Sequence, residues 1–110
     1  MKALKEYSKE ILIAEPNDLV KILVNMTSDY GDVCESQLPI EVARMDFWVK
    51  NKKLEDDKPV SDTMLKMMWI KDGKGELERR MEIYKKALEK MMSNVKAILR
   101  QKEVEARNIN

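Results

Sequence analysis

The sequence predicts an all-α fold: an antiparallel hairpin of two long helices with a short helix between them. Three observations favour it. The 110 residues include only three Gly and three Pro, 37% of them are charged, and apolar residues recur at alternating spacings of three and four. Because so few residues break helices, we expect long helices with coiled-coil-like packing, and a chain of this length predicts one domain over residues 1–110.

The first long helix is predicted over about residues 17–53, preceded by a shorter helix within residues 2–14. Pro16 is expected to end the leading helix, and Asn17 is a candidate N-cap of the next one. An apolar seam then follows spacings of four and three. Its members are Leu19, Leu23, Met26, Tyr30 and Val33.

After Val33 the apolar pattern slips, because the next member lies five residues on. Pro39 falls in this slip, where it removes an amide donor and crowds the preceding turn. We expect a kink or a brief break of the helix there, and a new helix beginning at Pro39 is the alternative. The seam beyond the slip is predicted to consist of Leu38, Val42, Met45 and Val49.

A short helix is predicted over residues 61–71. Ser61 is its candidate N-cap, and Asp62 suits the positive end of the helix. The residues that follow are nearly all apolar, so this helix is expected to be mostly covered. Gly73 and Gly75 are expected to end it, because glycine tolerates left-handed backbone conformations.

The last helix, predicted over residues 76–107, carries the most regular pattern in the chain. About 32 residues rise by roughly 48 Å, so the partner of this helix is expected to be the first long helix folded back against it. The seam has a strict spacing of four and three. Its members are Leu77, Met81, Tyr84, Leu88, Met91, Val95 and Ile98.

Further apolar residues flank the seams of both long helices, among them Phe47, Trp48 and Ile83. One partner helix cannot cover so wide a stripe, and soluble monomers seldom expose large apolar patches. We therefore predict self-association into a dimer or a larger bundle, with the seam of the last helix as the interface. The alternative is that the leading helix covers this surface within one chain.

A strip of basic residues on the last helix is a candidate nucleic-acid-binding surface. Arg79, Lys86, Arg100 and Arg107 recur at multiples of seven and lie on one side of the helix. Neighbouring glutamates offer the alternative of ordinary ion pairs on a solvated helix, and a net charge of +1 gives little general attraction to DNA. The aromatic residues are expected in the core, with Tyr7 as the exposed exception.

The composition argues against catalysis. The chain has no His and one Cys, which excludes imidazole chemistry, an internal disulfide and multi-cysteine zinc sites. Residues 55–57 are acidic but lack the spacing and the glycine of a calcium loop, so no metal site is expected. No catalytic or cofactor-binding residue is predicted. We expect a cytoplasmic protein, since no apolar run is long enough to span a membrane and no signal sequence is evident.

Several short motifs over about residues 15–105 occur in a characteristic order. Lys52-Lys53-Leu54 lies at the end of the first long helix, Val60-Ser61-Asp62-Thr63 opens the short one, and Ser93-Asn94-Val95-Lys96 lies in the last. In these motifs the chain resembles small helical proteins from early gene clusters of tailed bacteriophages, which lie near recombination and replication genes.

The resemblance implies an accessory protein in the host cytoplasm, with DNA recombination or replication as its setting. Together with the absence of candidate catalytic residues, it predicts a non-catalytic interaction module. This module is predicted to bind DNA through the basic strip, or a phage or host protein through apolar surface, and the resemblance supplies no site residues. Two alternatives stay open: an anti-CRISPR-like inhibitor of a host defence system that acts by steric protein binding, and an assembly or scaffold component of the virion.

Overall fold

The computed structural model describes residues 1–52 and 59–109, the last of these by its backbone alone. Its regular elements are four α-helices, so the predicted all-α class is confirmed. The helices are α1 (Leu4–Ile13), α2 (Pro16–Asn51), α3 (Asp62–Lys71) and α4 (Gly73–Ile109). Residue 53, where the first long helix was expected to end, and the acidic residues 55–57 lie outside the described residues.

The start of α2 differs from the prediction. Pro16 is the first helical residue, a position at which the missing proline N–H is not needed. Asn17 therefore lies inside the helix, and its assignment as the N-cap was wrong. The carboxylate of Asp18 accepts a hydrogen bond from the backbone N–H of Glu15 at 3.2 Å, which is one half of a capping box.

Helix α2 continues without a break through Pro39, so the brief break expected there and the alternative of a new helix beginning at Pro39 were both wrong. The predicted slip of the seam was wrong as well. The buried residues of this helix keep spacings of three and four through Val33, Gln37 and Ile40. The apolar residues assigned to the seam beyond the slip lie on the exposed face instead. These are Leu38, Val42, Met45 and Val49.

Helices α3 and α4 are separated by one residue, Asp72. Its backbone N–H donates to the carbonyls of Met68 and Trp69, both at 3.2 Å, and thereby closes α3. Its carboxylate accepts from the backbone N–H of Lys74 at 3.0 Å and caps α4. At the other end of α3, the predicted N-cap is confirmed, because the Ser61 hydroxyl accepts from the backbone N–H of Met64 at 3.2 Å.

Gly73 and Gly75 do not end α3 as expected. Both belong to the first turn of α4, and neither adopts a left-handed conformation. Gly75 is needed for space: a Cβ atom there would collide with the backbone carbonyl of Trp69 and lie 2.9 Å from the backbone nitrogen of Ile70. The missing side chain allows α3 and α4 to meet at their backbones.

The chain forms two compact units, each of which includes parts of α2 and α4. Unit 1 consists of Met1–Val33 and Tyr84–Asn110, and unit 2 consists of Cys34–Ile83. The prediction of a single domain stays a prediction.

The core of unit 1 joins α1, α2 and α4. Tyr7 from α1 is 1% exposed and packs among buried residues of both long helices. The expectation that Tyr7 is exposed was therefore wrong. Leu4 and Ile11 of α1 also pack against this core, so the leading helix covers part of the apolar surface within the chain. The other buried members are Leu19, Ile22, Met26, Leu88 and Val95.

The core of unit 2 is smaller and includes α3. Its buried apolar residues are Ile40, Val60, Leu65 and Trp69. The ring of Phe47 lies 5.3 Å from that of Trp69, in a tilted arrangement that aromatic pairs favour. Two polar contacts, Gln37 to Glu82 and Arg44 to Glu78, show that α2 and α4 run antiparallel in this unit.

Candidate binding surfaces

The predicted interface on α4 faces the chain itself over much of its length. In unit 1, Leu88 and Val95 are fully buried, and Tyr84, Met91 and Ile98 are partly buried against the same core. Full burial leaves Leu88 and Val95 no surface with which to touch a second copy of the folded chain. In unit 2, Met81 is half-buried and Leu77 is 45% exposed.

The predicted basic residues all lie on the surface, Arg79 in unit 2 and the other three in unit 1. Arg107 pairs with Glu103 at 3.1 Å, the i, i+4 pairing offered as the alternative to DNA binding. Within the described residues, Arg79, Lys86 and Arg100 form no ion pair.

An exposed apolar stripe, formed by Leu38, Val42, Met45 and Val49, runs along α2 in unit 2. The four side chains are 61%, 67%, 67% and 79% exposed. Their spacing of four, three and four places them on one face of the helix, away from the buried line of Gln37 and Ile40. This is the pattern of a coiled-coil seam, here on a face that the described part of the chain leaves mostly exposed. Met45 and Val49 also line the edge of a cavity in the same unit.

The sequence pattern misplaced this stripe because two polar residues occupy inward positions. Gln37 is buried, and its amide donates to Glu82 at 3.1 Å. Arg44 is half-buried and donates to Glu78 at 3.1 Å. The strict spacing of four and three, continued through these polar residues, was the signal that would have identified the buried face and left the apolar stripe outside.

Unit 2 also contains a cavity of about 820 Å³ between α2, α3 and α4. Apolar side chains form much of its wall, with Met45 and Trp48 from α2 and Trp69 and Ile70 from α3 among them. The polar lining is supplied by the two hydrogen-bonded pairs between α2 and α4, and by Glu41, Lys66 and Arg79. Sites for small molecules usually have such volumes and mostly apolar walls.

Trp69 and Glu78 both line this cavity, and each also has a fully buried polar atom without a hydrogen-bond partner among the described residues: the indole nitrogen Nε1 of Trp69 and the carboxylate oxygen Oε2 of Glu78. The other oxygen of Glu78 is bound to Arg44. An unpaired buried polar group costs roughly 1–3 kcal/mol, so most proteins satisfy such groups. Neither residue stands in a recognisable motif, so the role of these atoms could not be predicted from the sequence.

A hydrogen-bonded network in unit 1 joins α1 to both long helices. The Tyr7 hydroxyl donates to Asp29 at 2.5 Å, the backbone N–H of Lys2 donates to the same carboxylate at 3.1 Å, and the Tyr84 hydroxyl donates to the Lys2 carbonyl at 2.6 Å. Burial, together with the bond to Asp29, raises the pKa of Tyr7, and burial also raises the pKa of Tyr84.

The same network affects Asp29 in the opposite direction. Burial favours the protonated carboxyl, but the hydrogen bonds from Tyr7 and Lys2 and the nearby positive charges outweigh it, so the pKa of Asp29 lies below its usual value. The network is a structural attachment for α1, since its donors and acceptors are matched to each other.

The described residues contain no cluster of three or more His, Cys, Asp or Glu side chains that would hold a metal ion. Among these residues, no helix combines the length and the apolar character that crossing a membrane requires. Comparison of the chain with protein families, with curated proteins and with solved structures returned no match.

Proposed function

We propose that this chain is a non-catalytic helical interaction module that binds another helix through the exposed apolar stripe, and in the first instance a second copy of itself. The resemblance to phage early-cluster proteins supplies the proposed setting, which is DNA recombination or replication in the cytoplasm of the infected cell.

The exposure of the stripe is the observation that carries the proposal. Its four apolar side chains, spaced by four, three and four, extend over about 16 Å of helix and are more than half exposed. A seam of this kind is stabilised when a facing helix inserts its own apolar residues between them. In a symmetric dimer the same stripe would serve both partners.

Self-association is tested by light scattering at several protein concentrations. We expect the wild-type mass to exceed the 12.9 kDa of one chain and to rise with concentration. Val42→Lys places a charge in the middle of the stripe and should shift the protein to the monomer. Ser36→Lys adds the same charge to an exposed position of α2 outside the stripe and should leave the association unchanged. A wild-type monomer at every concentration would refute self-association.

The DNA-binding form of the proposal is supported by the exposure of Arg79, Lys86 and Arg100, which have no ion-pair partner among the described residues. Labelled single-stranded and double-stranded DNA would be titrated at about 50 and about 300 mM salt, because phosphate contacts weaken steeply with salt. Salt-sensitive binding that is lost when these residues and Arg107 are changed to Glu would support it. Absence of binding at the lower salt concentration would eliminate it.

A further inference from the structure

We propose that two copies of the chain pair through α2 in antiparallel orientation. The inference rests on the proposed self-association and adds its geometry. The stripe has a spacing of four, three and four, which reads the same in both directions along the helix, so an antiparallel copy matches all four members at once. This pairing places Leu38 of each copy against Val49 of the other, and Val42 against Met45.

The two ends of the stripe carry opposite charges. Glu35 precedes Leu38 by three residues, and it therefore continues the spacing of the stripe by one position. Lys52, the first residue after α2, follows Val49 by three residues and does the same at the other end. Both residues are exposed, and neither forms an ion pair within the described residues.

These end charges distinguish the two orientations. In an antiparallel pair, Glu35 of each copy lies opposite Lys52 of the other, which gives two ion pairs between the copies. In a parallel pair in register, Glu35 faces Glu35 and Lys52 faces Lys52, so both ends repel. Exposed ion pairs contribute little and like charges destabilise by similar amounts. Both orientations cover the same four apolar side chains, however, so the charges determine which one is preferred.

The residues beside the stripe favour the same orientation. Glu41 and Asp46 are exposed and flank the stripe on opposite sides. In a parallel coiled coil these flanks meet, so Glu41 of one copy would lie beside Asp46 of the other, and both are acidic. Asp46 also pairs with Lys50 of its own helix at 2.8 Å, which makes this repulsion smaller than that at the ends of the stripe. In an antiparallel pair Glu41 would lie beside Trp48 instead, and Asp46 beside Pro39.

Disulfide trapping tests the orientation directly. In a Cys34→Ser background, Leu38→Cys and Val49→Cys are made as separate proteins. The two positions lie about 16 Å apart along α2, so in an antiparallel pair equal positions of the two copies are equally far apart, which is too far for a disulfide. On mild oxidation, we expect an equimolar mixture to give at least about tenfold more covalent dimer than either variant alone. Ser36→Cys lies outside the stripe and should form no disulfide with either variant.

Exchange of the end charges is a second test, and it leaves the apolar stripe intact. Glu35→Lys and Lys52→Glu each turn both ion pairs of an antiparallel dimer into repulsions, so each should weaken association at low salt at least about fivefold. The double variant restores the pairs and should return to within about twofold of the wild type. In a parallel dimer each single change replaces one like-charged contact by another and would leave association unchanged. Ser36→Lys, outside the stripe, is the control and should change association less than about twofold.

A mixed disulfide between positions 38 and 49, together with loss and recovery of association in the charge exchange, supports the antiparallel pair. Covalent dimers formed by either Cys variant alone would overturn this orientation and leave self-association standing. Association that neither single charge change weakens would overturn the orientation as well. A wild type that light scattering shows to be monomeric at every concentration would instead overturn self-association itself, and the antiparallel pair with it.

Discussion

Gly75 and Gly31 both lie within long helices, yet they differ in what an added methyl group would meet. A Cβ atom at Gly75 would collide with the carbonyl of Trp69, whose backbone cannot move aside as a flexible side chain would. Gly31 has no atom within 4 Å of the same position. Gly75→Ala should therefore destabilise the protein by about 1–3 kcal/mol, as overpacking does.

Gly31→Ala is the matched control for this prediction. Alanine restricts the unfolded chain and favours the helix, so this variant should gain about 0.5–1 kcal/mol. Urea unfolding of both variants measures the two effects. Equal changes in the free energy of unfolding would show that Gly75 does not serve the contact between α3 and α4.

The shifted pKa values of Tyr7 and Asp29 predict how the stability of the protein responds to pH. The pKa of Tyr7 is raised in the folded state. Its contribution to the free energy of unfolding is therefore complete below about pH 10, the pKa of tyrosine in the unfolded chain, and is lost as the pH rises further. The pKa of Asp29 is lowered in the folded state. Its contribution to the free energy of unfolding is therefore present above about pH 4 and is lost as the pH falls further. Stability should decrease at both extremes.

Tyr7→Phe removes the hydroxyl that donates to Asp29 and keeps the ring in the core. We expect a loss of about 1.5–3 kcal/mol near neutral pH, since the bond is to a charged group. The decrease of stability above about pH 10 should also become shallower. Thermal unfolding across the pH range measures both. Tyr30→Phe is the control, because the Tyr30 hydroxyl donates to the exposed Glu89. This variant should lower the free energy of unfolding by less than Tyr7→Phe does. Parallel pH profiles of wild type and Tyr7→Phe would contradict the role given to Tyr7.

At the scale of the element, α2 contains a proline in its interior. Pro39 is exposed and lacks the N–H that would bond to the carbonyl of Glu35. Pro39→Ala should therefore stabilise the protein, by up to about 3 kcal/mol, and Ser36→Ala on the same helix should gain about 0.5 kcal/mol. Urea unfolding compares the two. A loss of stability in Pro39→Ala would mean that the fold depends on the local geometry imposed by the proline.

The helices were predictable from the sequence because their signals are local. Ser61 supplies a cap by its own side chain, and the absence of breakers beyond Gly75 allows α4 to run to residue 109. The inward face of α2 was not predicted, since apolar character alone favoured Leu38 over Gln37. Gln37 is buried because Glu82 of α4 pairs with it, and a partner so distant in sequence gives no local signal.

The same limit applies to the cavity in unit 2. Trp69 and Glu78 lie on different helices, and their unpaired atoms become evident only when α3 and α4 meet at Gly75. The glycine was visible in the sequence, but its role as a point of close approach was mistaken for that of a helix end.

At the scale of the whole molecule, the balance between covered and uncovered apolar surface motivates the proposed function. In unit 1, α1 packs on the core formed by α2 and α4. It therefore covers, within the chain, part of the apolar surface that was predicted to need a second copy. In unit 2, the exposed stripe centred on Val42 and Met45 is apolar surface that the described chain does not cover. The prediction of self-association stays, but the surface that would mediate it moves from α4 to α2.

The accessibility of the stripe at different protein concentrations tests this account most directly. In a Cys34→Ser background, Val42→Cys places one thiol in the stripe, and Ser36→Cys places one on α2 outside it. The rate of maleimide labelling is measured from dilute to concentrated protein. We predict that labelling at position 42 slows as the concentration rises, while labelling at position 36 keeps its rate. Equal, concentration-independent rates at both positions would contradict the claim that the stripe binds a second copy.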